Sequence, residues 1–200
     1  MSKSTLHFLV LYGVLTITLV YLASVLFQNP VQKSVKHIPS GDNKSLFWDI
    51  YPELVIPNLG KKIDSGIGLK DLNNEHVSIE RVLKSGSFLV FRYSRYDCNL
   101  CVDQLLEKLH VFFKGSESRV CLMIDGMTER EFKIKYGSKG IKFPVFFLDN
   151  NLGLSLENKN LPFLFVLSPD FRADKIFVPF KEFPRQTDAY LKNIKAIFGD

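Results

Sequence analysis

The chain has 200 residues, of which 46% are apolar and 18 are phenylalanine. That composition is enough to bury one full core beside an accessory segment, and it excludes an intrinsically disordered protein. The net charge of +5 comes from 26 basic and 21 acidic residues, and the basic residues are scattered rather than gathered in one arm or stripe. Nucleic acid is therefore not an expected partner, and the charge is typical of a solvated surface.

The chain opens with a long apolar segment. Residues 4–32 contain no Asp, Glu, Lys or Arg, and residues 6–27 are almost continuously apolar. As a helix, this stretch would extend about 33 Å, which is enough to cross a bilayer core. A cleaved signal peptide is the alternative, but its apolar region is usually about 7–15 residues long and ends in a small-residue cleavage site. We therefore predict an uncleaved transmembrane anchor in residues 1–28.

Lysines lie on both sides of this segment, with Lys3 before it and Lys33 and Lys36 after it. Local charge bias therefore does not set the orientation of the predicted span. Because one N-terminal span commonly exports the domain that follows, we predict a single-pass membrane protein. Its soluble domain is expected on the extracytoplasmic, periplasmic side.

Residues 29–56 are predicted to form a juxtamembrane linker, because they are rich in proline and turn-forming residues and show little apolar periodicity. An exception within the linker is an apolar group that includes Phe47, Trp48 and Tyr51. These side chains are expected to pack on the domain or to lie at the membrane surface.

Residues 57–200 are predicted to form one α/β domain with a mixed sheet flanked by helices. The order of periodic segments carries this prediction. In chain order we expect a hairpin within 68–79, a helical turn at 81–83, a strand at 88–93, a helix from Cys98 to about 114, a strand at 119–124, a helix over 128–136, an apolar run at 143–148, a hairpin over 163–178 and an amphipathic helix at 187–198.

Two cysteines lie where the strand at 88–93 passes into the next helix, as Cys98-Asn99-Leu100-Cys101. At a helix N-terminus the macrodipole favours the thiolate form of the first cysteine. The second cysteine lies one turn further on, close enough to resolve a mixed disulfide. The arrangement therefore predicts thiol–disulfide exchange at Cys98 and Cys101.

The third cysteine, Cys121, lies in the apolar run 120–124, which is typical of a buried strand, so we predict an inert core thiol. A closed zinc site needs about four ligands, and none of the histidines is paired at zinc spacing. Val102 follows Cys101 where covalent haem attachment needs His. No metal and no cofactor is predicted.

With Cys98 and Cys101 after its first long strand and Pro162 before its last hairpin, this order resembles the thioredoxin fold. The extra hairpin around residues 71–78 and the segment inserted before Pro162 resemble the membrane-anchored TlpA/ResA-type thiol–disulfide oxidoreductases and related AhpC/TSA-redoxin-like domains. The resemblance covers residues 57–200. It implies that Cys98 is the nucleophile, that Cys101 resolves the mixed disulfide, and that Pro162 is a cis-proline facing the pair.

The chain departs from that family beside the cysteines. Tyr96-Asp97 replaces the usual Trp before Cys98, and the dipeptide between the cysteines lacks proline. Arg92 stands six residues before Cys98, where thioredoxins place a buried acid. A nearby arginine stabilises a thiolate and Asp97 opposes it, so both are expected either to tune Cys98 or to cap the sheet edge.

The resemblance implies a membrane-tethered oxidoreductase that exchanges disulfides with partner proteins. A membrane-embedded or thioredoxin-like electron donor would reduce it again. Two alternatives remain open. One is a non-catalytic thioredoxin-like binding or assembly domain whose cysteines form a structural disulfide. The other is a peroxiredoxin-like peroxidase, although the pattern Pro-x-x-x-Thr-x-x-Cys is absent.

Overall fold

The computed structural model describes residues 15, 16, 18, 43–84 and 86–199, with the backbone alone for residues 43–48. The chain divides into two compact units, residues 1–43 and residues 44–200. The predicted anchor in residues 1–28 lies almost entirely outside the described residues, of which Leu15, Thr16 and Thr18 are helical. Within the part of the chain that is described, no helix is both long and apolar enough to cross a membrane.

The second unit is built on a mixed sheet, as the sequence predicts. Among the described residues the sheet has eight strands in the order β1-β8-β7-β4-β5-β6-β2-β3. Strands β4, β5 and β6 are parallel, and the other neighbours are antiparallel. The strands are β1 (Lys61–Lys62), β2 (Gly68–Lys70), β3 (His76–Ser78), β4 (Phe88–Ser94), β5 (Val120–Asp125), β6 (Val145–Leu148), β7 (Phe163–Leu167) and β8 (Arg172–Phe177).

Five α-helices accompany the sheet within the described residues. They are α1 (Asn43–Val55), α2 (Ile79–Leu83), α3 (Asn99–Phe112), α4 (Glu129–Tyr136) and α5 (Pro184–Phe198). Short 3-10 helices cover Ile56–Asn58, Glu117–Arg119, Gly137–Lys139 and Ser155–Lys159. The predicted elements of the domain are thus present in the predicted order, and the main addition is the short edge strand β1.

Two hydrophobic clusters fill the interior, and they follow the alternation of side chains along the central strands. In β4, Phe88 and Val90 belong to the first cluster, whereas Leu89, Phe91 and Tyr93 belong to the second. The second cluster includes the buried sides of α3, α4 and α5. The first includes the end of α1 together with α2 and part of Ser155–Lys159. Helices therefore cover both faces of the sheet.

Helix α1 occupies a segment that the sequence assigned to the linker. A proline inside a helix removes a hydrogen bond, and Pro52 lies within α1. Tertiary packing compensates, because Leu54 and Val55 are buried in the first cluster. The Tyr51 ring lies 6.1 Å from the Phe177 ring, measured between centroids. The packing expected for the aromatic group is thus observed for Tyr51.

Candidate functional site

Cys98 caps the N-terminus of α3, and its side chain is exposed. The backbone N–H of Cys101 donates to Cys98 Sγ at 3.4 Å. Cys101 Sγ also donates to Cys98 Sγ, at a distance of 2.6 Å. Cys101 is partly buried, and both cysteines are free thiols. The structure therefore brings the predicted nucleophile and the predicted resolving thiol into contact across one helical turn.

The two thiols differ in acidity in the way that an exchange reaction needs. The pKa of Cys98 is lowered, first by the hydrogen bond from the Cys101 thiol, then by the backbone N–H groups of Cys101 and Leu100 and by the charge of Lys181. The pKa of Cys101 is raised to about 11, first by burial and then by its contact with Cys98. At neutral pH Cys101 therefore remains a thiol that donates to sulfur, which favours the thiolate form of Cys98.

A tight turn carries the chain from the end of β4 to Cys98. Asp97 is buried, and its carboxylate accepts from the backbone N–H of Ser94 at 2.9 Å and from the Ser94 hydroxyl at 2.8 Å. The backbone N–H of Asp97 donates to the Ser94 carbonyl at 3.2 Å. Val102 N–H then donates to the Cys98 carbonyl at 3.0 Å, which starts α3. The hydrogen bonds of this turn therefore hold the backbone from which the Cys98 side chain extends.

Arg92 lies in β4, two residues before this turn, and is 1% exposed. Its guanidinium pairs with Asp125 at 3.1 Å, with Glu157 at 3.6 Å and with Asp97 at 4.0 Å. Arg92 and Asp97 thus interact with residues at the ends of β4 and β5: Arg92 with Asp125, and Asp97 with Ser94. The groups that shift the pKa of Cys98 are instead Cys101, Leu100 and Lys181.

Pro162 is buried directly before β7. Phe163, the next residue, is paired with Arg92 of β4, which places Pro162 near the strand end that leads to the cysteines. Among the described residues no peptide bond is cis, so the Leu161–Pro162 bond is trans. The predicted cis-proline is therefore wrong. The trans isomer is the ordinary preference of X-Pro bonds, and Pro162 stands ahead of the β7 ladder, where its missing N–H costs no strand pairing.

Cys121 lies in the middle of β5, opposite Val90, and is fully buried. Burial raises the pKa of its thiol to about 12. These observations confirm that Cys121 is a core thiol, and its inertness stays a prediction that follows from the raised pKa.

A groove between α3 and the loop after β8 borders Cys101. A small cavity of about 30 Å³ there is lined by Cys101 together with Phe180 and Lys181, among others. It shares Gln104 and Lys108 with a neighbouring cavity of about 690 Å³. Sequence reasoning missed this loop as part of the site. Its only local signal is a proline-bounded segment, and its contact with Cys101 is tertiary.

No family model and no curated relative matches this sequence. The fold is similar to that of solved structures. PrxQ from Xylella fastidiosa aligns with a TM-score of 0.50 at 10% identity, over 70% of this chain and 96% of that one. Peroxidoxin BcpB from Mycobacterium tuberculosis aligns with a TM-score of 0.48 at 14% identity, over 68% of this chain and 97% of that one. A thiol:disulfide interchange protein from Bacteroides sp. aligns with a TM-score of 0.48 at 12% identity, over 67% of this chain and 90% of that one.

At these identities the likeness concerns the fold alone. It agrees with the observed topology, in which a central strand leads into a helix that begins at Cys98. The chain therefore has a mixed α/β thioredoxin-like fold.

Proposed function

We propose that this protein is a thiol–disulfide oxidoreductase with Cys98 as the nucleophile and Cys101 as the resolving thiol. The observation that carries the proposal is the exposed Cys98 sulfur at the first turn of α3, with the Cys101 sulfur 2.6 Å away. The opposite shifts of the two pKa values support it, because the attacking group has to be a thiolate and the resolving group has to wait as a thiol.

In the proposed reaction the Cys98 thiolate attacks one sulfur of a partner disulfide. A Cys98–partner bond forms, the partner disulfide breaks, and the second partner sulfur leaves as a thiolate that takes up a proton. Cys101 then loses its proton and attacks Cys98 Sγ, which releases the first partner sulfur. The partner gains two electrons and two protons, and the chain is left with a Cys98–Cys101 disulfide. A dithiol donor, either membrane-embedded or thioredoxin-like, returns the two electrons.

Tethering belongs to the same proposal and is supported by the sequence alone. The apolar stretch in residues 6–27 is long enough to span a bilayer. An anchor there would hold residues 44–200 at the extracytoplasmic surface, near partner proteins and a membrane-bound donor.

Cysteine variants of the full chain in detergent test the chemistry. The reduced protein is mixed with a peptide that contains a disulfide, and the products are followed by mass. We expect Cys98→Ser to lose exchange and Cys101→Ser to accumulate a mixed disulfide that dithiothreitol releases. Cys121→Ala, the matched control, is expected to retain exchange because that thiol is buried away from solvent.

Two further measurements separate the alternatives. A Cys98–Cys101 reduction potential between about −270 and −120 mV is expected for a working oxidoreductase, whereas a value below about −300 mV with no trapped peptide would indicate a structural disulfide in a binding domain. Hydrogen peroxide is then offered without the peptide. Rapid oxidation that requires Cys98, combined with failure to exchange with the peptide, would replace the proposal with the peroxidase alternative.

A further inference from the structure

A buried arginine requires a physical explanation, because arginine is almost never fully buried unless it is paired. Arg92 lies in the central strand β4, two residues from its end, and is 1% exposed. Its guanidinium carbon lies 5.6 Å from the centroid of the Phe163 ring on the neighbouring strand. The cation is thus enclosed below the turn that leads to Cys98.

Three carboxylates from three chain segments surround this guanidinium. Asp125 ends β5, Glu157 lies in the 3-10 helix Ser155–Lys159, and Asp97 directly precedes Cys98. The side chains of Asp97 and Glu157 are 0% and 2% exposed, whereas that of Asp125 is 35% exposed. Glu157 is itself held by the backbone N–H groups of Leu152 and Leu154. Within the described residues, Nη2 of Arg92 donates to Asp125 at 3.1 Å, whereas Nε and Nη1 make no hydrogen bond and face Glu157 and Asp97 as ion pairs at 3.6 and 4.0 Å. A planar guanidinium spreads its charge toward three carboxylates, which the point charge of a lysine ammonium does less well.

Asp97 connects this cluster to the cysteines. One of its carboxylate oxygens accepts from the backbone N–H of Ser94 and the other accepts from the Ser94 hydroxyl. Removing the positive charge of Arg92 would leave Asp97 buried without a counter-charge, which is strongly unfavourable. Movement of Asp97 would disturb the turn, and with it the starting position of Cys98 on α3.

We infer that Arg92 is a positioning residue for Cys98: its buried guanidinium supplies the counter-charge that faces Asp97 across 4.0 Å, and Asp97 holds the turn that sets the Cys98 sulfur against the first N–H groups of α3. The inference rests on the proposed function for its catalytic meaning. The geometric claim concerns Arg92, Asp97 and the Ser94–Asp97 turn.

The expected effect follows from the groups that face each side chain. Cys98 Sγ is faced by Cys101 and Leu100 from α3 and by Lys181 from the loop after β8. Arg92 is faced by the three carboxylates described above. If the turn loosens, the hydrogen bonds from the N–H groups of Leu100 and Cys101 to the Cys98 sulfur become weaker. The thiolate is then less stabilised, and the pH midpoint of Cys98 reactivity rises.

The test measures the rate at which iodoacetamide alkylates Cys98 in the full chain between pH 5 and 10, with the site identified by mass spectrometry. Arg92→Lys keeps the charge and removes the planar fork. We expect its midpoint to rise by about half to one pH unit, which is about a three- to tenfold loss of thiolate at any pH below both midpoints. Arg172→Lys is the matched control, because Arg172 is exposed in β8, outside this turn, and pairs with Asp170 at 2.9 Å. Its profile should stay within twofold of the wild type.

Asp97→Asn separates positioning from simple charge effects. Loss of a negative charge beside Cys98 would lower the midpoint if charge alone mattered, whereas loss of the turn raises it. We expect a rise. The double variant Arg92→Lys/Asp97→Asn should be no worse than the stronger single variant, because the two residues act through one contact.

Three results would overturn the inference. The first is a lower denaturation midpoint for Arg92→Lys with an unchanged pH profile, which would indicate a purely structural role. The second is additive effects in the double variant, and the third is a lowered midpoint in Asp97→Asn. If Arg92→Lys does not fold, Ser94→Ala tests the same turn and must raise the midpoint. Because alkylation needs no partner disulfide, failure of the proposed function would leave this readout intact.

Discussion

A cysteine just beyond the end of the sheet and a cysteine in its interior differ in exposure and in the direction in which their pKa is shifted. Cys98 lies just beyond β4, exposed at a helix N-terminus, and its pKa is lowered. Cys121 lies within the neighbouring strand β5, fully buried, and its pKa is raised to about 12. The two strands are parallel partners, so their ends lie at the same edge of the sheet. We therefore expect the position relative to the strand end, through exposure and available N–H donors, to determine which cysteine is reactive.

The largest expected effect is a difference in labelling between these two regions. In the native protein at pH 7, iodoacetamide should modify Cys98 faster than Cys121 by a factor on the order of 10³ or more, because Cys121 becomes accessible only when the protein opens and unfolding costs about 5–15 kcal/mol. Site-resolved mass spectrometry measures both rates. In guanidinium chloride the two cysteines should label at similar rates, and native rates within tenfold of each other would contradict the comparison.

Helix α3 joins the two regions, because its first turn holds Cys98 and its inner side belongs to the core. Leu109 is 0% exposed, and Val111 on the same helix is 76% exposed. We expect Leu109→Ala to lower the free energy of unfolding by about 2–5 kcal/mol through lost burial and a residual cavity. Val111→Ala, the control, should change it by less than about 0.5 kcal/mol. Urea denaturation measures both, and equal effects would show that α3 does not pack as described.

A smaller difference in alkylation rate is expected between Cys98 and Cys101. The pKa of Cys98 is lowered and that of Cys101 is raised to about 11. Cys98 therefore carries the larger thiolate fraction at pH 7, and we expect its alkylation to be at least about tenfold faster than that of Cys101, even though a thiolate of lower pKa is less nucleophilic. Cys98 labelling should level off with rising pH while Cys101 labelling continues to increase. Equal rates at pH 7 would contradict the assigned roles.

The smallest change in alkylation rate is expected from replacing Lys181. Its charge lowers the pKa of both cysteines from outside α3, as one of the lesser causes of each shift. Lys181→Gln should raise both pKa values and slow Cys98 alkylation at pH 7 by less than about threefold, since exposed charges are screened by solvent. Lys61→Gln, on the edge strand β1, is the control and should leave the rate unchanged. The same pH titration measures both variants.

Local sequence patterns were sufficient to predict the order of elements in the domain and the place of each cysteine within a strand or at a helix start. Alternating and helical periodicities are local, so the strand Phe88–Ser94, the helix that follows Cys98 and the hairpin around Asn74 were all predictable. The apolar run around Cys121 likewise predicted its burial. The contact between Cys98 and Cys101 was predictable because both residues lie within one helical turn.

The side chains that surround the cysteine pair come from distant parts of the chain and depend on how the elements pack. Asp125 lies 33 residues from Arg92 in sequence, and no local pattern predicts their contact or the enclosure of Arg92 by Glu157. The same holds for Lys181 beside the cysteines and for the packing of α1 despite Pro52. These features depend on contacts between residues that lie far apart in sequence, and local patterns of polarity and periodicity do not encode such contacts.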